Sequence, residues 1–172
     1  MGSLYAKHVL HINNPRVGLL NIGEEKEKGN ELTRESWPLL KNAPINFIGN
    51  VESKEILKGG ADVIVCDGFV GNLILKFAES LAASVFNILK TELSKGMINK
   101  LGIGLLMPTL FKIRKKLSSD DYGGAPMLGV NGVVFKAHGR AKAEAIKNAI
   151  RESAEAVTGK MVEAISHAGD TK

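Results

Sequence analysis

Apolar blocks and polar blocks follow one another along this chain, and their lengths predict strands and helices in turn. The opening "MGSLYAKHVL" has the pattern of a helix end, and Pro15 stands beyond it as a breaker. "RVGLLNI" (16–22) is a short apolar run that predicts a buried strand. "GEEKEKGNE" (23–31) is a charged, glycine-punctuated loop, and Asn30 at its end can cap a helix from Glu31 to about Lys41. Pro38 falls inside that helix and is expected to kink or shorten it. "INFIGNV" (45–51) predicts a second strand, Ser53 can cap a short helix "KEILKG", and "DVIVC" (62–66) predicts a third strand. From near Val70 a helix runs through "LILKFAESLAASVFNILKTEL", with apolar residues at 73, 74, 75, 77, 81, 85, 86, 88 and 89. That helix is apolar around most of its circumference, so it calls for burial or for sharing with a second subunit. "MLGVNGVVFKAHG" (127–139) holds one more strand, and a last amphipathic helix is expected from about Ala141 to Ala168.

Strands that alternate with helices and are almost continuously apolar predict an α/β fold. The expected form is three-layer α/β/α, with a largely parallel sheet covered on both faces. In such sheets ligands gather at the carboxyl ends of the strands. The loops "NIGEE", "GNVES", "CDGFVGN" and "FKAHG" all fall there. No internal repeat and no low-complexity segment interrupts the pattern, and the 172 residues are expected to form one domain.

Composition narrows the class. The chain is 44% apolar and 24% charged, the balance of a soluble globular protein, and only 5% aromatic, so its core is expected to be aliphatic. Cys66 is the single cysteine, which excludes an intrachain disulfide or a CxxC metal site and fits a reducing, cytoplasmic setting. No uninterrupted apolar run approaches the ~18 residues of a spanning helix, so none is expected. The N-terminus lacks a signal-peptide core, and Ala6 breaks the myristoylation pattern. The net charge of +5 becomes informative once it is located. Lys95, Lys100, Lys112, Arg114, Lys115 and Lys116 lie in a stretch from 95 to 119 without a single acid, which leaves the rest close to neutral. So local a patch points to a specific anionic partner.

Several constellations carry possible chemistry. Asp67-Gly68-Phe69-Val70-Gly71-Asn72 joins a strand to a helix, where backbone N–H groups and the helix dipole favour an anion. It is neither a Walker A loop nor GxGxxG, and a tight turn with Asp67 satisfying free amides accounts for it equally. "NIGEEKEKGNE" brings two adjacent carboxylates, Lys28, Asn30 and Glu31 to a strand end. These can orient a nucleophile and hold an anion, or they can form a solvated loop with weak surface ion pairs. Asn131 to Gly139 sets Lys136 and His138 two apart, on one face if extended, where they can bind phosphate and move a proton. The plainer alternative is a solvent-facing lysine and a structural histidine. Cys66 has no base beside it in sequence and is expected to be a small buried hydrophobe rather than a nucleophile. Residues 95–118 hold Leu106, Leu110, Ile113 and Leu117 at helical spacing beside the cations, with Gly102, Gly104 and Pro108 as breaks. A protruding basic, amphipathic helical hairpin of this kind suits a membrane surface or an acidic protein.

In this order, "GSLYAK", "NPRVGLLNIGEEKEKGNEL", "INFIGNVES", "DVIVCDGFVGNLILK", "DDYGGAPMLGVNGVVFKAHG" and "AIKNAIR" resemble the bacterial phosphate acyltransferases of phospholipid synthesis. "DGFVGN" and "LGVNGVVFKAHG" are more distantly similar to loops of phosphotransacetylases. The resemblance spans nearly the whole chain but covers only the C-terminal half of the family's length, so the other half of the sheet is expected to be absent. It implies an isocitrate/isopropylmalate-dehydrogenase-like fold. It also implies a reaction in which acyl-carrier-protein thioester and inorganic phosphate give acyl phosphate, with no cofactor and no metal. Asp67, Lys136 and His138 would be catalytic. Lys28, Asn30, Glu31, Gly68, Gly71, Asn72 and Asn131 would bind phosphate and substrate. Lys100, Leu106, Leu110, Phe111, Lys112, Arg114, Lys115 and Lys116 would contact the membrane or the carrier protein. The implied partners are acyl carrier protein, phosphate, the inner membrane face, a membrane acyltransferase and a second copy in a homodimer. No nucleic acid is expected. Two alternatives stand beside this enzyme: a truncated, inactive membrane- and carrier-binding fragment, and a phosphotransacetylase using acyl-CoA.

Overall fold

The computed structural model describes residues 1–93, 106, 108–110, 112–113 and 123–170. The chain divides into two compact units. The first is made of Met1–Asp67, Pro126–Lys136 and Arg151–Lys172, the second of Gly68–Ala125 and Ala137–Ile150.

The first unit is built on a three-stranded parallel sheet: β1 (Arg16–Asn21), β2 (Asn46–Glu52) and β3 (Val63–Val65), in the order β2-β1-β3. β1 takes the centre because its apolar run can be covered on both faces, and every residue after Arg16 is buried. Parallel neighbours cannot be joined by a hairpin. The β1-to-β2 connection is made by α2 (Glu31–Asn42), and the short α3 (Ser53–Ile56) follows β2. The β1–β2 register slips between Val17 and Gly18, where Val17 faces Phe47 but Gly18 faces Gly49. Ile48 is therefore the extra residue of a bulge, and Gly49 turns it at φ +98°. Beyond the bulge Asn50 lies opposite Leu19 and Val51 opposite Leu20.

Local chemistry fixes the elements around this sheet. Asn30 caps α2, its Oδ1 accepting from the Thr33 N–H at 2.9 Å. On α2, Trp37 meets Phe47 of β2 edge-to-face at 5.8 Å, and the Lys26 ammonium sits 4.8 Å from the Trp37 ring centroid. At the other end of the sheet, Arg16 grips Asp62 with Nε and one terminal nitrogen, each at 3.0 Å, and also donates to the Gly59 carbonyl. A second cluster joins α1 (Gly2–His8) to α5 (Ala143–Thr158) and α6 (Met161–Asp170). Val9, Ala156 and Met161 are buried there, with Tyr5, Leu128 and Phe135 packed on them. His8 Nδ1 donates to the Gly159 carbonyl at 3.2 Å. A two-stranded sheet pairs β4 (Ala125–Pro126) with β5 (Phe135–Lys136).

The second unit is dominated by α4 (Gly68–Leu93), in which none of the 26 residues is buried. Phe69 is 79% exposed, and Leu73, Phe77, Leu81, Val85 and Ile88 are exposed with it. By length and composition alone α4 could cross a membrane, although no continuous apolar run predicts such a helix. Leu106, Pro108–Leu110 and Lys112–Ile113 are helical as well.

The mixed α/β architecture and parallel pairing are as the sequence predicts, and several boundaries differ. Pro38 does not shorten α2, which runs on to Asn42. Glu52, not Ser53, is the N-cap of α3, and Ser53 is its first residue. The expected strand within 127–139 is reduced to the two residues of β5. The single helix expected over 141–168 is two, because Gly159 and Lys160 break it, with Lys160 at φ +52°. The burial expected as one alternative for α4 is not found: none of its residues is buried among the described residues.

Candidate functional site

In the first unit the expected residues follow β1. Two asparagines shape that loop. Asn21, the last residue of β1, donates Nδ2 to the Lys28 carbonyl at 2.9 Å and accepts from the Ile22 N–H at 2.8 Å. Asn50, near the end of β2, donates Nδ2 to the Glu25 carbonyl at 2.7 Å. Lys28 donates its own N–H to that same carbonyl at 3.1 Å. The Lys28 side chain is exposed, and among the described residues it forms no ion pair. Asn30 is spent on capping, and Glu31 opens α2, where its charge suits the helix dipole. Of the three, Lys28 is the one cation, and no described ion pair engages its exposed side chain. Asn21 and Asn50 were not expected as site builders. Their only signal in the sequence is an amide where two neighbouring apolar strands end.

The same unit holds Asp67, just beyond β3; Asn131, exposed in the turn before β5; and Lys136, exposed on β5. The second unit holds Gly68, Gly71 and Asn72, which are not a turn: α4 starts at Gly68, two residues before the expected start. A Cβ at Gly68 would meet nothing within 4 Å, so this helix terminus has open space beside it rather than a cradle closed around it. His138 is exposed, and its Nδ1 accepts from the Arg140 N–H at 3.1 Å. That bond puts the proton of the neutral ring on Nε2, which is left as a donor.

Cys66 is exposed rather than buried. Partial desolvation of its sulfur, and then the charge of Asp67, push the thiol pKa up, which is the wrong direction for a nucleophile. Of the expected contact residues, Leu106, Leu110 and Lys112 are helical, while Lys100, Phe111, Arg114, Lys115 and Lys116 lie outside the described residues, as does most of the expected hairpin.

A cleft of about 580 Å³ opens in the first unit, lined among others by Lys26, Trp37, Asn50, Glu52 and Glu55. Lys54 stands at 2.7 Å from Glu52 and 3.7 Å from Glu24, and its hydrogen bond to Glu52 is the main reason its pKa is raised. None of the expected site residues lines this cleft.

Comparison with known proteins puts these residues in a family. The model of the family described as "Fatty acid synthesis protein" matches residues 1–164. A phosphate acyltransferase of Alkaliphilus oremlandii is 53% identical over 166 residues, which is 96% of this chain and 50% of that protein. One from Moorella thermoacetica is 52% identical over 165 residues, 96% of this chain and 49% of its own. One from Clostridium perfringens is 51% identical over 154 residues, 89% and 45% respectively. The chain thus spans about half the length of the curated relatives it matches. With the family pattern running from residue 1 to residue 164, this chain belongs to the fatty acid synthesis protein family, alongside proteins named phosphate acyltransferase.

Proposed function

We propose that the chain carries out phosphate acyl transfer. The thioester of acyl carrier protein would be the donor and inorganic phosphate the acceptor, and the acyl phosphate would be passed to a membrane acyltransferase for phospholipid synthesis. The main support is the identity to phosphate acyltransferases over 96% of the chain. The chemistry of the residues agrees. An oxygen of hydrogen phosphate attacks the thioester carbon, the C–S bond breaks, and the phosphate proton ends on the leaving thiol. Phosphate near neutral pH is already largely dianionic, so it needs placing more than deprotonating. In the first unit, Lys28 and Lys136 are exposed cations suited to that task. In the second unit, the Nε2–H of His138 is suited to donating a hydrogen bond to a developing oxyanion or to the leaving sulfur.

The parallel sheet is consistent with one half of a three-layer, dehydrogenase-like fold. We take the uncovered face of α4 to be a homodimer contact rather than a membrane span. Lys76 and Glu79 are exposed within the helix, and charges deep in a bilayer are costly. The basic stretch from 95 to 116 would meet the acidic carrier protein or the inner face of the cytoplasmic membrane.

The test is to incubate the chain with acyl-carrier-protein thioester and hydroxylamine, with and without phosphate. Hydroxamate that forms only with phosphate is expected, and His138→Ala should lower its rate by about 10²-fold or more. Hydroxamate from acyl-CoA but not from the carrier protein would move the donor to coenzyme A. Because the chain spans about half of its relatives, a second reading is a binding fragment without turnover. It predicts flotation with anionic liposomes, lost on neutralising Lys112, Arg114, Lys115 and Lys116, and no hydroxamate.

A further inference from the structure

We propose that Asn21 and Asn50 are positioning residues, which hold the 23–29 loop so that the Lys28 ammonium meets the phosphate group of the substrate from a fixed backbone. This rests on Lys28 being an anion-holding group. The two asparagines are 9% and 8% exposed, on neighbouring strands of one sheet, and each directs its amide nitrogen into the same loop. Between them they secure both sides of residue 28. Asn21 takes the Lys28 carbonyl, while the Lys28 N–H goes to the Glu25 carbonyl, which Asn50 holds.

Two further observations separate this from ordinary loop packing. The Oδ1 of Asn50 is buried and, among the described residues, meets no hydrogen-bond donor. A buried acceptor without a donor is a standing cost, and leucine at 50 would avoid it. What leucine cannot do is donate to the Glu25 carbonyl. The second is Gly29, at φ +98°, where a Cβ would run into the Asn21 amide and the Thr33 hydroxyl. The backbone of Gly29, the residue that follows Lys28, therefore lies directly against the Asn21 side chain, which also holds the Lys28 carbonyl. A long flexible lysine binds an anion better when its backbone has no freedom left to lose.

The experiment uses the full chain with Asn21→Leu, Asn50→Leu, Lys28→Ala and the double change Asn50→Leu/Lys28→Ala. Inorganic phosphate is titrated by calorimetry, and amide exchange is followed over residues 23–29 and over β1 and β2. Asn50→Leu removes the orphan oxygen, so the protein is expected to keep its melting temperature. It should still exchange faster in the loop alone and bind phosphate about tenfold more weakly. Asn21→Leu should loosen the loop and weaken phosphate binding likewise, with a lower melting temperature because the Ile22 N–H loses its acceptor, and adding Asn50→Leu to Lys28→Ala should cost no further phosphate affinity. Unchanged phosphate affinity with a loosened loop, or an unchanged loop, overturns the positioning role. Failure of the wild type to bind phosphate at all, with Lys28→Ala identical to it, overturns the assignment of Lys28 and this proposal with it.

Discussion

β1 and α4 are both apolar segments, and they end in opposite surroundings. β1 buries every residue after Arg16, whereas α4 buries none of its 26. The apolar pattern is alike in kind, and the cover is not. A strand between two parallel neighbours receives its cover from its own chain, through helices returned over the sheet. A helix apolar around most of its circumference cannot be covered by one neighbour and calls for cover on several sides. Hydrophobicity therefore states that a segment must be covered without stating by what.

Mutations can break this contrast. The largest effect is expected at Leu19, buried in the centre of β1: Leu19→Ala should cost about 2–5 kcal/mol in urea unfolding. Leu81→Ala, at an exposed position of α4, should fall within about 0.5 kcal/mol in dilute solution. A matching loss at Leu81 would mean that α4 is covered by its own chain. Next is Phe77→Lys, which should weaken self-association by more than about tenfold in sedimentation, by placing a charge in an apolar contact. A wild type that sediments as a monomer would remove the second copy as the cover.

Smaller effects probe the polar ties of the first unit. Asn30→Ala removes the cap of α2 and should cost about 1 kcal/mol, read as a lower melting temperature. The smallest effect concerns pH. The hydrogen bonds from Arg16 hold the Asp62 carboxyl below the usual carboxylate range. The unfolded chain then binds the proton first, so this contribution is present above the ordinary carboxylate pKa and is lost as pH falls through the depressed folded value. Asp62→Asn should flatten the acid limb of stability, by little, because the pair is exposed.

The sequence carried the centres of β1, β2 and β3, because burial on both faces leaves an unbroken apolar run. It also carried Asn30, because capping is local chemistry. What it did not carry depends on distant contacts. The break after Thr158 comes from Gly159, where a Cβ would crowd the His8 carbonyl, a neighbour 151 positions away in sequence. Gly68 and Gly71 suggest a turn, yet α4 already includes both, since neither has the positive φ for which glycine is needed. In the candidate site Lys28 was legible as a cation in a strand-end loop. The asparagines that fix it were not, because Asn50 reaches Glu25 across 25 positions and faces inward only after the bulge at Ile48 and Gly49.

The central claim is that phosphate accepts the acyl group. ³¹P NMR tests it most directly, on the chain mixed with acyl-carrier-protein thioester and phosphate. An acyl phosphate resonance growing in step with free carrier thiol is the predicted result. Thiol released with inorganic phosphate as the only phosphorus signal, or no thiol released at all, would contradict it.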